Sequence, residues 1–233
     1  MSSPDSRAAA EAPAGLGAPA DATGAAALLT PVLGAVQALG RHRADGRAVV
    51  LIDGASGAGK STLADALVAA WPGPVTPTLV RLDDIYPGWA GLEAAIEHIR
   101  TQVLVPRHAG APARWRRFDW TTEAPAEWHS VPADRPLIVE GCGTLAGAHA
   151  AVSDVRVWLD ADDGIRKQRA LARDGGVFEA HWDQWQHDWA GYRDRETPER
   201  QATVRLLATP PRSRPRAAAA DTPWNPAENA SPQ

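Results

Sequence analysis

Gly54-Ala55-Ser56-Gly57-Ala58-Gly59-Lys60-Ser61 follows an apolar run, Ala48 to Ile52, that ends in Asp53. It leads into Ser61 to Trp71, where Leu63, Leu67 and Val68 recur with helical spacing before the stop Trp71-Pro72-Gly73. The octapeptide fits G-x-x-x-x-G-K-[ST] without a mismatch, in the strand–loop–helix setting that a phosphate-binding P-loop requires. The chemistry dictates the composition. Successive backbone N–H groups must converge on one concavity to hold phosphate oxygens, and glycine permits both the dihedrals and the close approach. The following helix directs its positive end at the same anion. Lys60 is placed to contact the β- and γ-phosphates, and the Ser61 hydroxyl to ligate Mg2+. The octapeptide together with Thr62 is therefore expected to hold a nucleoside triphosphate, with Mg-ATP as the expected ligand.

Outward from the loop, strands and helices alternate. Thr78 to Leu82 reads as a second strand running into Asp83 and Asp84, and Gly91 to Leu104 as a helix carrying Leu92, Ile96 and Ile99. Leu137 to Val139 is a third strand ending at Glu140-Gly141, and Val155 to Leu159 a fourth ending at Asp160. Ile165 to Arg173 is a helix with Arg and Lys along one side, and Leu28 to Arg43 another, with Leu29, Val32, Val36 and Leu39 on one face. Such alternation predicts an α/β chain with the P-loop NTPase fold: a parallel sheet of about five strands, helices on both faces and a helical lid. Ligands of such sheets bind beyond the carboxyl ends of the strands, and every polar cluster named here follows a strand end.

Composition sets the outer bounds. The 233 residues suffice for one α/β domain, expected over residues 28–208, between two segments, 1–27 and 209–233, too poor in large apolar side chains to order themselves. Lys plus Arg number 24 against 28 Asp plus Glu, a balance that argues against a general nucleic-acid binder. One cysteine, Cys142, excludes an internal disulfide and suits a reducing compartment. The apolar stretch Ala25 to Val36 is interrupted by Thr30, Pro31 and Gly34 and is too short to span a bilayer. The first residues lack a basic segment followed by an apolar core, so no signal peptide is expected. The expectation is a soluble cytoplasmic protein whose partner is a small molecule, with no nucleic acid and no membrane.

A P-loop alone does not separate kinases from GTPases or regulatory ATPases. A guanine reader of the N-K-x-D type is impossible, since the only asparagines are Asn225 and Asn229. Arg81-Leu82-Asp83-Asp84-Ile85-Tyr86 after the second strand offers a carboxylate that, beside a γ-phosphate, accepts the proton of an acceptor hydroxyl. The same two aspartates equally well begin a loop.

The chain resembles the uridine kinase-like branch of P-loop kinases, which includes pantothenate kinase and phosphoribulokinase. Ile52 through Thr62 is similar to that family's P-loop. Asp83-Asp84-Ile85-Tyr86 is similar to its D-S-F-Y segment, which implies that Asp83 acts as base and places Tyr86 beside the acceptor. Phe118-Asp119-Trp120 resembles its Y-D-F substrate segment. Val131 to Asp134 and then Leu137 to Gly141 resemble the approach to the strand ending E-G, which implies a place for Glu140 near Mg2+. Arg166, Arg169, Arg173 and Asp174 resemble the lid helix with its R-x-x-R-D ending, which implies that Arg169 and Arg173 close over the phosphates beside a Gly175-Gly176 hinge. These pieces keep the family's order over residues 47–176. The reaction implied is transfer of the γ-phosphoryl of Mg-ATP to a small-molecule hydroxyl; the alternative is a non-kinase nucleotide-binding switch or regulatory ATPase.

The chain departs from the pattern at the acceptor. Phe118 stands where the family has tyrosine, and Glu123 where it has a base-reading histidine, which makes uridine a poor candidate acceptor. Trp182, Trp185 and Trp189 recur at i, i+3 and i+7, the spacing of a packing stripe, the alternative being an aromatic platform. His181 and His187 do not match a zinc spacing. Arg114, Arg116 and Arg117 form either a cluster for an acidic acceptor or a solvated loop.

Overall fold

The computed structural model describes residues 22–40, 47–173 and 176–208. Its centre is β1 (Val49–Asp53), whose five residues are all buried. Val49 and Leu51 face one hydrophobic cluster, Val50 and Ile52 the other, so the strand is apolar on both sides as a central parallel strand must be. β2 (Thr78–Arg81), β5 (Leu137–Glu140), β6 (Val155–Ala161) and β7 (Val204–Ala208) complete a five-stranded sheet in the order β2-β5-β1-β6-β7, with every pairing parallel. The expected sheet is thus present.

Its fifth strand, β7, is absent from the sequence reading for a physical reason. It lies at the edge, its burial alternates, and Arg205 interrupts the apolar pattern. A second feature without a sequence signal is the antiparallel hairpin of β3 (Ala113–Asp119) and β4 (Ala124–Val131). A bulge between Arg116 and Phe118 breaks its alternation, and Phe118 is buried where its neighbours are half-buried or exposed.

On one face of the sheet α1 (Ala22–Gly40) and α2 (Lys60–Ala69) bury Val32, Val36, Leu63 and Leu67 against Val50 and Ile52. α1 begins at Ala22, so residues 22–27, expected in a disordered segment, belong to a helix. Their alanines have the highest helix propensity of any residue, and the helix they extend is anchored by Val32 and Val36. Arg43, residues 1–21 and 209–233, and Asp174 with Gly175 lie outside the described residues.

The other face is covered by α3 (Leu92–His98), a wider π turn (Ile99–Leu104) leading into the short α4 (Val105–His108), and α7 (Trp182–Glu196). The expected single helix over 91–104 opens just before Pro106, which supplies no N–H and crowds the preceding turn. Trp182, Trp185, Trp189 and Tyr192 are all buried, so the tryptophan stripe is a packing surface of the core and not a platform. Two short helices, α5 (Gly147–Ala150) and α8 (Pro198–Gln201), and the basic helix α6 (Asp163–Arg173) make up the rest, with a 3-10 segment Val177–His181 between α6 and α7. Among the described residues no helix is long and apolar enough to cross a membrane.

Val32 has no exposed surface, whereas Thr30, two residues earlier and on the opposite side of the helix, is exposed. Val32→Ala should lose about 2 kcal/mol in urea unfolding, the transfer loss of two methyl groups plus a cavity. Thr30→Ala should change stability by about 0.5 kcal/mol or less. Equal effects would mean that α1 is not docked on the sheet.

Candidate functional site

The loop after β1 is shaped by close approach. Gly54, Gly57 and Gly59 have φ of 149°, 80° and 103°. A Cβ on Gly54 would stand 2.1 Å from the Leu159 carbonyl oxygen, and one on Gly57 only 1.9 Å from that of Arg166. β6 and α6 therefore press on the loop so tightly that only glycine fits. Gly59 is the N-cap of α2 and offers no side chain to its first turn, which leaves those N–H groups directed at the concavity. Cys142 forms the floor of the loop, with Sγ 3.3 Å from Gly54 O and 3.6 Å from Ser56 Oγ.

Lys60 is buried, and its Nζ donates to Ala55 O at 3.0 Å and lies 3.5 Å from Cys142 Sγ. Burial alone would lower its pKa, but Cys142, Glu140, Asp83 and Asp53 around the ammonium raise it instead. The lysine is held as a cation facing three carboxylates that come from three strand ends.

Asp53, the last residue of β1, has no exposed surface and is fully satisfied. Its Oδ1 accepts from Gly54 N at 2.7 Å and Gly143 N at 3.1 Å, and its Oδ2 from Leu145 N and the Tyr192 hydroxyl, both at 2.7 Å. Burial pushes its pKa up, opposed by the Leu145 N–H, the Tyr192 hydroxyl and the Gly54 N–H. One carboxylate thus ties the P-loop, the loop after β5 and helix α7 together. This role had only a faint signal in the sequence, a single acid closing an apolar strand, and its partners Tyr192 and Leu145 lie far along the chain.

Glu140 closes β5, in register with Ile52 on one side and Arg81 on the other. It is buried, and the Ser61 side chain beside it acts to lower its pKa. Its Oε1 lies 3.5 Å from Arg81 Nε and has no hydrogen-bond partner among the described residues. Burial, then Asp83, push its pKa up to about 7. An unsatisfied buried carboxylate oxygen beside a P-loop hydroxyl suits Mg2+, which takes one or two protein oxygens and keeps water and phosphate for the rest. Among the described residues there is no cluster of three His, Cys, Asp or Glu side chains of the kind a protein-only metal cage needs.

Asp83 and Asp84 lie on a 3-10 turn (Leu82–Asp84) directly after β2. The Asp83 side chain is half exposed, and its Oδ2 lies 3.7 Å from Arg173 at the end of α6. Asp83 also bears on Lys60 and Glu140, whereas Asp84 bears on Arg117 and His129 of the hairpin. Burial and then the Asp83 charge raise the Asp84 pKa. Asp83 thus meets the charges of the cradle and of α6, and Asp84 those of Arg81 and of the hairpin. Of the lid arginines, Arg173 meets Asp83, Arg169 is exposed, and Arg166 is bound to Asp163 at 2.7 Å and Gln186 at 2.8 Å.

Among the residues expected to hold an acceptor, several expectations change. Tyr86 is 2 % exposed; its hydroxyl donates to Cys142 O at 2.8 Å and its ring meets Trp185 edge-on at 4.9 Å. It is a strut between the turn and the cradle floor, not an acceptor contact. Phe118 is buried behind Trp120, 5.6 Å away edge-on. Asp119 caps the hairpin turn, its Oδ1 accepting from Thr121 N and Thr122 N. Trp120 remains 38 % exposed, and its Nε1 donates to Asp83 O at 2.9 Å. Trp89 lies 4.9 Å from Trp120 and from Phe178, and 4.7 Å from His181, an aromatic group that no spacing in the sequence announces. Glu123 sits exposed in the turn with φ 49°. Arg114 lies over the Trp128 ring at 4.3 Å, while Arg117 pairs with Glu127 at 2.7 Å, so the arginine cluster divides between the two faces of the hairpin.

Tyr192→Phe removes one of four donors from a buried carboxylate and should cost about 1–3 kcal/mol. A change near zero in chemical unfolding would dismiss the Asp53 hub. Glu140 supplies a pH test. Its folded pKa of about 7 exceeds the ordinary 4.5, so the stability it contributes is full below the ordinary value and is lost as pH rises through about 7. In buffers without Mg2+ or nucleotide, wild-type Tm should fall between pH 5 and 8 more steeply than that of Glu140→Gln. Parallel profiles would remove Glu140 as the source.

No protein-family model matches the chain, and no curated protein matches it in sequence. Among solved structures it is similar to a possible uridine kinase from Bacillus stearothermophilus, with a TM-score of 0.50 at 18% identity, covering 76% of this chain and 99% of that one. A provisionally assigned fructose transport system kinase from Silicibacter sp. TM1040 aligns with a TM-score of 0.47 at 22% identity, over 78% of this chain and 98% of its own. The first likeness spans nearly all of that protein, and together with the five-stranded parallel sheet and the glycine-rich loop after β1 it gives the chain the P-loop NTPase fold that the sequence predicts.

Proposed function

We propose that the chain is an ATP-dependent kinase that transfers the γ-phosphoryl group to a hydroxyl of a small molecule. The observation that carries this reading is the position of Asp83. Its carboxylate projects from the end of β2 between Lys60 of the cradle, whose pKa it raises, and Arg173 of the lid helix at 3.7 Å. A solvent-accessible carboxylate beside the γ-phosphate end of a P-loop is placed to take a hydroxyl proton.

In the proposed reaction the acceptor hydroxyl oxygen forms a bond to the γ-phosphorus, and its proton passes to Asp83. The bond from that phosphorus to the β–γ bridging oxygen breaks, and ADP leaves with the electron pair. Lys60 and Arg173 hold the equatorial oxygens and spread their charge, which is the larger part of what a protein contributes to phosphoryl transfer. Ser61 and Glu140 would hold Mg2+, which when bound neutralises charge on the β- and γ-oxygens. Arg169, exposed on the same helix as Arg173, would join it when the helix closes over the phosphates.

Asp83→Asn should keep ATP affinity within a few-fold while lowering transfer about a hundredfold or more, the scale of a lost general base. Asp84→Asn should do less, and the reverse ranking would move the base. Lys60→Ala should weaken ATP binding and abolish turnover without unfolding the protein. ATP turnover that is fast with no acceptor and unchanged by Asp83→Asn would identify an ATPase instead.

A further inference from the structure

We propose that the acceptor is a neutral polyhydroxylated molecule of the free sugar or sugar-alcohol type, bound with its C–H face on Trp120 and its hydroxyls on Asp83 and Asp84. This rests on the kinase reading above and names its substrate class.

Charge comes first. Each arginine near Asp83 already faces acids: Arg81 pairs with Asp65 and Glu140, Arg117 with Glu127 and Asp119, and Arg173 with Asp83. With Lys60, Arg173 and Arg169 assigned to the triphosphate, the acceptor side has no surplus of positive charge for a phosphate or carboxylate on the acceptor. Asp84 adds a further acid, and it makes no hydrogen bond among the described residues. An anionic acceptor would meet repulsion here.

Hydrogen-bonding capacity points the same way. Ionised carboxylates only accept. Three side-chain donors beside the two aspartates are engaged: Trp120 Nε1 with Asp83 O at 2.9 Å, Arg117 with Glu127 at 2.7 Å, and His129 with the same carboxylate at 3.2 Å. The site therefore favours a ligand that brings donors. A nucleobase presents carbonyl and ring-nitrogen acceptors, which two aspartates cannot satisfy. A sugar or alditol brings a hydroxyl on nearly every carbon.

Shape supplies the third point. Trp120 is the exposed member of an aromatic group with Phe118 and Trp89, and its indole is fixed against residue 83 by its own N–H. A rigid indole face held against the turn that carries Asp83 and Asp84 matches a molecule with an apolar C–H face and a polar hydroxyl edge. The hydroxyl that lies over Asp83 is then the one that receives the phosphoryl group.

The test is ADP release by the full chain with MgATP and, in turn, millimolar D-ribose, D-glucose, D-mannitol, uridine, D-glycerate and ribose 5-phosphate, with nucleotide binding measured in parallel. At least one neutral sugar or alditol should raise ADP release about tenfold or more above the acceptor-free rate. Trp120→Ala should raise the KM for that acceptor about tenfold with the KM for ATP unchanged, and Trp120→Phe should restore most of it. Stimulation only by uridine, D-glycerate or ribose 5-phosphate would overturn the substrate class and leave the kinase reading standing. Bound MgATP with no stimulation by any of the six would overturn both. A Trp120→Ala effect shared equally by the two KM values would remove Trp120 from the acceptor site.

Discussion

The site depends on one buried carboxylate. Asp53 has no exposed surface and accepts four hydrogen bonds, one from the P-loop, two from the loop after β5 and one from a tyrosine contributed by α7. A charge so deep in a sheet is costly unless every lone pair is answered. Satisfying it forces Gly54, Gly143, Leu145 and Tyr192 to converge, and that convergence brings the P-loop, the end of β5 and the helix after the lid into one rigid unit. Lys60 and Glu140 inherit their positions from it.

A second constraint is steric. The P-loop is clasped by the Leu159 carbonyl from β6 and the Arg166 carbonyl from α6, each too near for any side chain to intervene. The lid helix therefore begins in direct contact with the cradle and ends at Asp83 through Arg173. A single helix touching both the phosphate loop and the candidate base is a direct physical route by which closing over a nucleotide would also order the acceptor side.

The proposed acceptor side is built on different principles. The cradle uses backbone N–H groups and needs glycine; the acceptor side uses side chains carried by an inserted hairpin and by the turn after β2. Trp120 reaches back to the Asp83 backbone, and Tyr86 is withdrawn into the core to brace the cradle floor. The aromatic group around Trp89 joins the turn after β2, the hairpin and the segment after the lid. Such a surface is free to vary without disturbing the cradle, because none of its side chains enters the Asp53 network.

The P-loop, the central strand and the order of strands and helices were legible in the sequence, because each is a local matter of dihedrals, helix spacing and unbroken apolar runs. Asp83, Glu140 and Arg173 were legible as strand-end and helix-end polar residues whose order in the chain resembles a known family. β7 and the hairpin were not, since an edge strand and a two-stranded insertion lack a continuous apolar run. Nor were the fates of Tyr86 and Asp119, one withdrawn to a core carbonyl and the other turned onto its own loop. Local pattern shows which residue types stand at a strand's end. Which of them face the cavity is decided by contacts between distant segments, as between Asp53 and Tyr192, and those exist only once the chain has folded.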